Sequence, residues 1–325
     1  MPAVTRQRRQ PDRRTGRAAA SPRDRMTRNG VRIDDTFAEA FDMRGTALLI
    51  TAPTRRWARQ AAVTMTGFAT SIIACGAEAA IDAEVAAEET PDGRPGVRVL
   101  MFSGSSGELQ KQVQNRVGQC VLTSPGSACY AGLEAAETLK LGDALRYFGD
   151  GWQISKRLGG RHFWRVPVMD GEFVCEGTTG LTKQAVGGGN LILMARSAAG
   201  ALRAAEAVVD AIGAVPDAIA PFPGGIARSG SKVGSKYKAL MASTNHAYCP
   251  TLRGIVPDTE LGEDIAAVLE IVIDGLTPEA VAAAMRAGLA AAIPLGPEHG
   301  AVRIGAGNYG GKLGRHHFHL RELLP

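Results

Sequence analysis

The chain is short of the features that most quickly mark a function class. Aromatic residues make up 5% of it. None of the five cysteines (Cys75, Cys120, Cys129, Cys175 and Cys249) stands in a C-x-x-C pair, which argues against a zinc ribbon or a dithiol redox motif. An odd cysteine count with no secretory leader fits reduced, mostly buried thiols, and a cytoplasmic protein is expected. No run of about 18 apolar residues occurs, so neither a membrane span nor a membrane partner is expected. The GxxxxGK[ST] spacing of a phosphate-binding loop is missing. Basic charge is scarce too, outside one place. Residues 1–25 carry eight arginines against two aspartates, which turns an overall net charge of +5 into −1 for everything after them. A body of that charge gives no reason to expect a nucleic-acid partner. Residues 1–28 read as a disordered basic tail, with Met26 as an alternative start of translation.

What is present is an ordinary globular composition, 45% hydrophobic and 21% charged over 325 residues, long enough for two cores. The periodicity suggests one pattern used twice. Asp35–Phe41 reads as an amphipathic turn or helix. Thr46–Ala52 is a strand, Thr54–Thr66 a helix and Thr70–Cys75 a strand. A long polar connection over 76–96 leads to a strand at Val97–Phe102, a helix at Ser106–Val117 and a strand at Gln119–Thr123. After a middle region with a hairpin at Arg161–Val168 and Glu172–Cys175, turned at Asp170–Gly171, the pattern recurs. Asn190–Ala195, Ala199–Ile212, Ala218–Phe222, Ala267–Asp274, Pro278–Ala292 and Ala301–Gly305 again follow β-α-β-β-α-β. The expected fold is α+β, two ferredoxin-like α/β sandwich lobes, over residues 29–160 and 161–325.

One stretch fits no element. Pro221–Thr251 is too long for an ordinary connection, and loops of that length are functional or disordered. It carries apolar groups that want a surface (Phe222, Tyr237, Leu240, Met241, Tyr248) beside ligand-type polar groups and glycines that allow close approach. The alternative is a solvated Gly/Ser loop. Glu270 is the sharpest single residue. Strand alternation places Leu269, Ile271 and Ile273 on one face and Val268, Glu270 and Val272 on the other. A carboxyl flanked by valines has its charged form disfavoured, which suits acid–base work. The alternative is a glutamate facing solvent or paired with a lysine.

These motifs resemble the formylmethanofuran–tetrahydromethanopterin N-formyltransferase family. FPGGI at Phe222–Ile226, SKVGSK at Ser231–Lys236 and STNxAYCPT at Ser243–Thr251 carry the likeness. It extends through DTFAEAF at Asp35–Phe41, EETPDGRPGV at Glu88–Val97, RVGQCVLT at Arg116–Thr123, FGDG at Phe148–Gly151, EIVIDG at Glu270–Gly275 and AGNYGGKLG at Ala306–Gly314. Collinear motifs over nearly everything after Gly30 are far more specific than one glycine-rich match. His246 departs from the pattern, which has an acidic residue there.

The resemblance implies acyl transfer of a formyl group between tetrahydromethanopterin and the amine of methanofuran, both of them cosubstrates, with no bound cofactor and no metal. It implies a homo-oligomer, dimer or tetramer, and hydrolase-complex subunits as possible partners. It assigns Glu270 as the catalytic acid. It assigns Phe222, Pro223, Gly224, Gly225, Ser231, Lys232, Ser235, Lys236, Ser243, Thr244, Asn245 and Tyr248 to substrate binding. Amides around Gly224–Gly225, or the hydroxyls of Ser243 and Thr244, are candidate oxyanion donors. No His–Ser or His–Cys arrangement is recognisable, so direct transfer in a ternary complex is expected. His316, His317 and His319 could suggest a metal, but lack acidic or cysteine neighbours in sequence. The rival readings are a non-catalytic scaffold subunit and a pterin- or folate-binding module.

Overall fold

The computed structural model describes residues 25–230 and 232–325. The expectations for residues 1–24 and for Ser231 lie outside them. The described chain opens with three strands, β1 (Arg25–Arg28), β2 (Val31–Asp34) and β3 (Phe37–Asp42). Residues 25–28, expected in the tail, are an edge strand, and Asp35–Phe41 leads into a strand rather than a helix. Asn29 and Gly30, both at positive φ, turn the β1–β2 hairpin; Asn-Gly is the strongest two-residue hairpin signal and explains the order there.

The first β-α-β-β-α-β unit follows. It runs β4 (Arg44–Thr51), α1 (Arg55–Thr66), the one-turn α2 (Ile72–Cys75), β5 (Glu78–Val85), β6 (Gly96–Ser103), α3 (Ser106–Arg116) and β7 (Ala128–Ala131). The sheet order is β5-β6-β4-β7 with every neighbour antiparallel, the ferredoxin-like arrangement. Two expected strands are displaced. Thr70–Cys75 is mostly the helical turn α2, because Ser71 accepts the Ile73 N–H at its start and Gly76 ends it in the left-handed region. Its strand is Glu78–Val85, inside the connection expected to be irregular. Gln119–Thr123 continues α3 as a wide turn with Val117 and Val121 both buried, and the strand comes later, at β7.

After β8 (Glu137–Lys140) and α4 (Gly142–Leu145) come β9 (Ile154–Leu158), β10 (Arg161–Val168), β11 (Gly171–Glu176) and β12 (Thr178–Leu181). The expected β10–β11 hairpin is present, β11 pairs with β7 in parallel and β9 pairs with β10, so these three strands lengthen the first sheet to seven. The second unit is β13 (Val186–Ala195), α5 (Ala198–Ile212), β14 (Ala218–Ile219), the long loop with its small ribbon β15 (Lys232–Val233) and β16 (Ala242–Ser243), then β17 (Ala267–Gly275), α6 (Pro278–Ala292) and α7 (Gly296–His299). It ends with β18 (Arg303–Gly305), β19 (His316–His319) and α8 (Leu320–Leu323). Its order, β18-β13-β17-β14, repeats the first. β2 adds to β18 in parallel and β3 to the start of β13. Sheet membership therefore departs from the expected boundary after residue 160. Residues 161–176 belong to the first sheet and residues 25–42 to the second.

α5 and α6 cover one face of the second sheet. Leu191, Leu193, Ile271 and Ile273 meet Val208, Ile212, Val281 and Leu289 there. Pro278–His299 is long and apolar enough to cross a membrane by composition; here α6 is a core helix, with Val281, Ala284, Met285 and Leu289 fully buried. The lobes meet through Met43, Ala47, Leu100 and Phe102 on one side and Ala185, Ile219 and Leu276 on the other. Beside this contact Arg98 of β6 bridges Asp82 of β5 and Asp217, the latter at 2.8 Å. Glu78 of β5 faces Asp274 of β17. Asp274 is fully buried; its Oδ1 accepts the Gly188 N–H at 3.1 Å, while its Oδ2 has no N–H donor. Glu78 accepts the Ile72 N–H at 3.1 Å. Burial drives both carboxyls above the ordinary range, and at Asp274 the neighbouring Glu78 adds to the rise.

Candidate active site

β17 presents its two faces as alternation requires. Ile271 and Ile273 point to the helices. Val268 points the other way and, with Ile192, Met194 and Val302, is covered by Leu261, Ile265 and Tyr248 of the long loop. The helix-free face of the second sheet is thus roofed by the connection between β14 and β17, with Tyr248 from Pro221–Thr251 and Leu261 and Ile265 from the residues after it. Glu270 lies on that face, half-buried. Its backbone is held on both sides. Ile192 is its register partner on β13, and Ala227 of the loop exchanges two hydrogen bonds with it, at 2.8 and 2.9 Å.

A cavity of about 40 Å³ opens at this point. Glu270, Leu269, Val268 and Ile192 form its floor, and Ala227, Arg228, Ser229, Gly230, Asn245, Tyr248 and Cys249 form its walls. The walls keep their shape through local contacts. Gly230 sits at φ 62° with a would-be Cβ 2.7 Å from the Asn245 Cβ, so only glycine fits the crossing. Thr244 donates to the Ser229 carbonyl at 3.3 Å. Lys232 Nζ meets His246 Nδ1 at 3.1 Å, and His246 Nε2 meets Asp258 at 2.9 Å. The hydrogen bond from His246 holds Asp258 below the usual carboxylate range. Further along, Arg303 pairs with Asp34 at 2.8 Å and donates to the Glu260 carbonyl at 2.6 Å, and Arg32 pairs with Asp264 at 2.7 Å. Arg253 donates to the Glu263 carbonyl at 3.1 Å and also to that of Ile265. The 244–265 part of the connection is a folded roof, whereas the ribbon tip of Pro221–Thr251 exposes Val233, Tyr237, Leu240 and Met241.

Of the expected site residues the structure brings together Glu270, Asn245 and Tyr248. Lys232 stands one contact away, through His246. Phe222, Pro223, Gly224 and Gly225 form a turn packed on α5, where Gly225 leaves no room for a Cβ beside Val209; they do not line the cavity. The Gly225 N–H bonds the Phe222 carbonyl at 2.7 Å, the Ser243 hydroxyl the Gly234 carbonyl at 2.7 Å, and Thr244 is engaged as above. The Gly225 amide and the Ser243 and Thr244 hydroxyls therefore already have acceptors. Ser235 accepts the Tyr237 N–H at 3.0 Å, and it lies with exposed Lys236 on a ribbon tip that also exposes Val233, Tyr237, Leu240 and Met241. The Gly177–Thr182 segment is internal to the first lobe, with Thr179 bonded to the Ala47 carbonyl. His316 pairs with Asp42, and Phe37 lies between His317 and His319. Among the described residues no group of three or more His, Cys, Asp or Glu side chains is placed to hold a metal ion.

The glycine-rich segment Ala306–Gly314, whose sequence reads equally as a backbone approach to a ligand or as a tight turn, does not itself line the cavity. The loop at 306–314 between β18 and β19 comes over the same face. The Asn190 side chain accepts the Gly307 N–H at 2.6 Å from β13, and Asn308 donates to Thr36 and to the Phe37 carbonyl. Glu39 of β3, almost fully buried, accepts four backbone N–H groups: Tyr309 at 2.6 Å, Gly311 at 2.8 Å, Leu313 at 2.7 Å and Gly314 at 2.8 Å. Burial alone would raise its pKa; the four donors outweigh that and bring it down to about 2. Tyr309 packs against Phe41 at 5.9 Å between ring centroids. Burial, then Glu270, then Glu39 push its phenol pKa up. The only sequence signal is the glycine-rich AGNYGGKLG, which reads equally as a tight turn.

Residues 26–168 match the family model described as formylmethanofuran-tetrahydromethanopterin formyltransferase, and residues 171–323 match the one described as its proximal lobe. The formylmethanofuran–tetrahydromethanopterin formyltransferase of Methylobacillus flagellatus is 59% identical over 303 residues, 92% of this chain and all of that one. Among solved structures, a chain of the formyltransferase/hydrolase complex of Methylorubrum extorquens, crystallised with methylofuran, superposes with a TM-score of 0.90 at 56% identity, over 93% of this chain and 99% of that one. The formyltransferase of Methanosarcina barkeri gives 0.86 at 46% identity, over 92% of this chain and all of that one. The chain belongs to the formylmethanofuran–tetrahydromethanopterin formyltransferase family.

Proposed function

We propose that this protein is an N-formyltransferase that moves a formyl group between tetrahydromethanopterin and the amine of methanofuran or a close analogue, as the names of its relatives state for them. The observation that carries the reading is a half-buried carboxyl, Glu270, at the floor of a small cavity walled by Ser229, Gly230, Asn245, Tyr248 and Cys249 of the signature stretch. The carriers are far larger than about 40 Å³, so they lie outside and insert only the reacting end.

Transfer is direct. The acceptor nitrogen attacks the formamide carbon, and the carbonyl π-electrons go to oxygen, giving a tetrahedral oxyanion. The C–N bond to the donor then breaks, and the departing nitrogen takes a proton. Glu270 supplies that proton and recovers one from the attacking nitrogen, so the carboxyl is unchanged overall. The Asn245 carboxamide, on the same wall, is the candidate oxyanion donor. Holding both carriers at once supplies much of the rate through lost translational freedom. Lys232 and Lys236 suit the acidic tails of the carriers. A relative from Methylorubrum extorquens carries the name of a formyltransferase/hydrolase complex component. By analogy with it, we propose that this chain assembles with hydrolase subunits; a homo-oligomeric state and a cytoplasmic location are proposed from the sequence alone.

The experiment is turnover of formyl-tetrahydromethanopterin with a furfurylamine acceptor. Glu270→Gln is expected to lower turnover by about one to three orders of magnitude with carrier binding retained. Wild-type turnover in that variant removes the acid from Glu270. Carrier binding with no turnover in the native protein favours the binding module, and neither favours the scaffold.

A further inference from the structure

The loop at 306–314 is built more firmly than a turn between strands requires. Glu39 grips the main chain at Tyr309 itself and again at residues 311, 313 and 314. Gly310 and Gly311 take left-handed angles of 81° and 71° to turn those amides inward. Asn190 holds the residue two before Tyr309, from the sheet face that also bears Glu270. Asn190 stands opposite Val272 and Ile192 opposite Glu270, so the loop is tied one row of the sheet from the acid. The result fixes one side chain, Tyr309, whose ring is braced on Phe41. Its phenol is half-buried, and burial first, then the charges of Glu270 and Glu39, push its pKa up. Burial and those charges keep it a neutral hydroxyl, hence a donor.

We propose that Tyr309 is a positioning residue for the reaction: from a loop clamped on Glu39, its hydroxyl donates to the Glu270 carboxyl and fixes the direction in which that carboxyl delivers its proton. The inference rests on the reading of Glu270 as the acid. The hydroxyl also stabilises the carboxylate left after each delivery, so the acid is restored against a defined partner rather than against water. The other titratable groups around the pair are Glu39 of β3, Arg228, Tyr248 and Cys249 of the roof, and His317 of β19, which touches Gly311.

The test is a pH profile of kcat for the native protein, Tyr309→Phe, Glu270→Gln and the double variant. Loss of one hydrogen bond to a charged group corresponds to about tenfold or more in rate, so kcat of Tyr309→Phe should fall by about tenfold with KM nearly unchanged. A bond to the charged form lowers a carboxyl pKa. Its removal should therefore move the alkaline limb of the profile to higher pH. 3-Fluorotyrosine at position 309, a stronger donor of nearly the same size, should move the limb to lower pH, and it serves if the phenylalanine variant folds poorly. In the Glu270→Gln background Tyr309→Phe should cost little more, because the pathway it serves is gone. A slower Tyr309→Phe enzyme with the native limb, or full additivity in the double variant, overturns the proposal while leaving Glu270 in place. Native turnover in Glu270→Gln overturns both.

Discussion

Four main-chain amides converge on one buried carboxylate at Glu39, and the consequence is measurable residue by residue. The folded pKa, about 2, lies below the ordinary value of 4.5, so the stabilisation is complete above about pH 4.5 and is lost as pH falls from there towards 2. Amide hydrogen exchange at Tyr309, Gly311, Leu313 and Gly314 should accelerate together across that acid window while exchange in α6 does not. Glu39→Gln should bring the same acceleration at neutral pH, because a carboxamide keeps one acceptor and turns an N–H₂ toward the amides. Equal protection in the variant would show that the loop is held by something else. None of this is legible in the sequence. Glu39 stands in DTFAEAF, where a glutamate between alanines and aromatics gives no sign of four donors arriving from some 270 residues away. Glu270 is legible because alternation within its own strand is enough to place it.

Elements whose boundaries are written locally are legible in the sequence, and those decided by distant partners are not. α1, α5 and α6 begin at Thr54, Ser197 and Thr277, each a side chain capping an amide three residues on. β5 is hidden because Glu78–Val85 is made mostly of alanine and acidic residues, poor strand formers; it is a strand because β6 pairs along its whole length. The loop from β18 to β19 offers a prediction at this scale. A Cβ at Gly314 would stand 2.3 Å from the carbonyl oxygen of Ala40, which is backbone and cannot swing aside. Gly314→Ala should push β19 off β3 and cost about 1–3 kcal/mol, read as a lower thermal midpoint together with lost turnover. A midpoint indistinguishable from native would show that β3 yields easily.

At the scale of the whole molecule, the seam between lobes holds a pair of buried carboxyls, Glu78 and Asp274. Both groups titrate above their ordinary range, raised by burial and, at Asp274, by the neighbouring Glu78. The linkage sign is opposite to that of Glu39: the contribution is complete below the unfolded value of about 4 and declines as pH rises through the folded values. Asp274→Asn gives Glu78 a permanent donor, so the variant should melt higher than the native protein by about 3 °C at mildly alkaline pH, with the gap closing as the medium is made acidic. A gap independent of pH would mean the pair is not the titrating element.

The first lobe is inserted into the second. Residues 43–184 should therefore fold as an isolated fragment, while residues 185–325 should stay unfolded until a peptide covering 25–42 is added, which circular dichroism would report. The same topology bears on biosynthesis. Val31 and Ile33 leave the ribosome among the first described residues, yet their partners Ala301 and Ile304 are among the last. At about 5–20 residues per second that wait lasts tens of seconds. Through it β2 has one edge paired with β1 and the other bare, so the newborn chain is most open to misassociation at its beginning, long after its middle has closed.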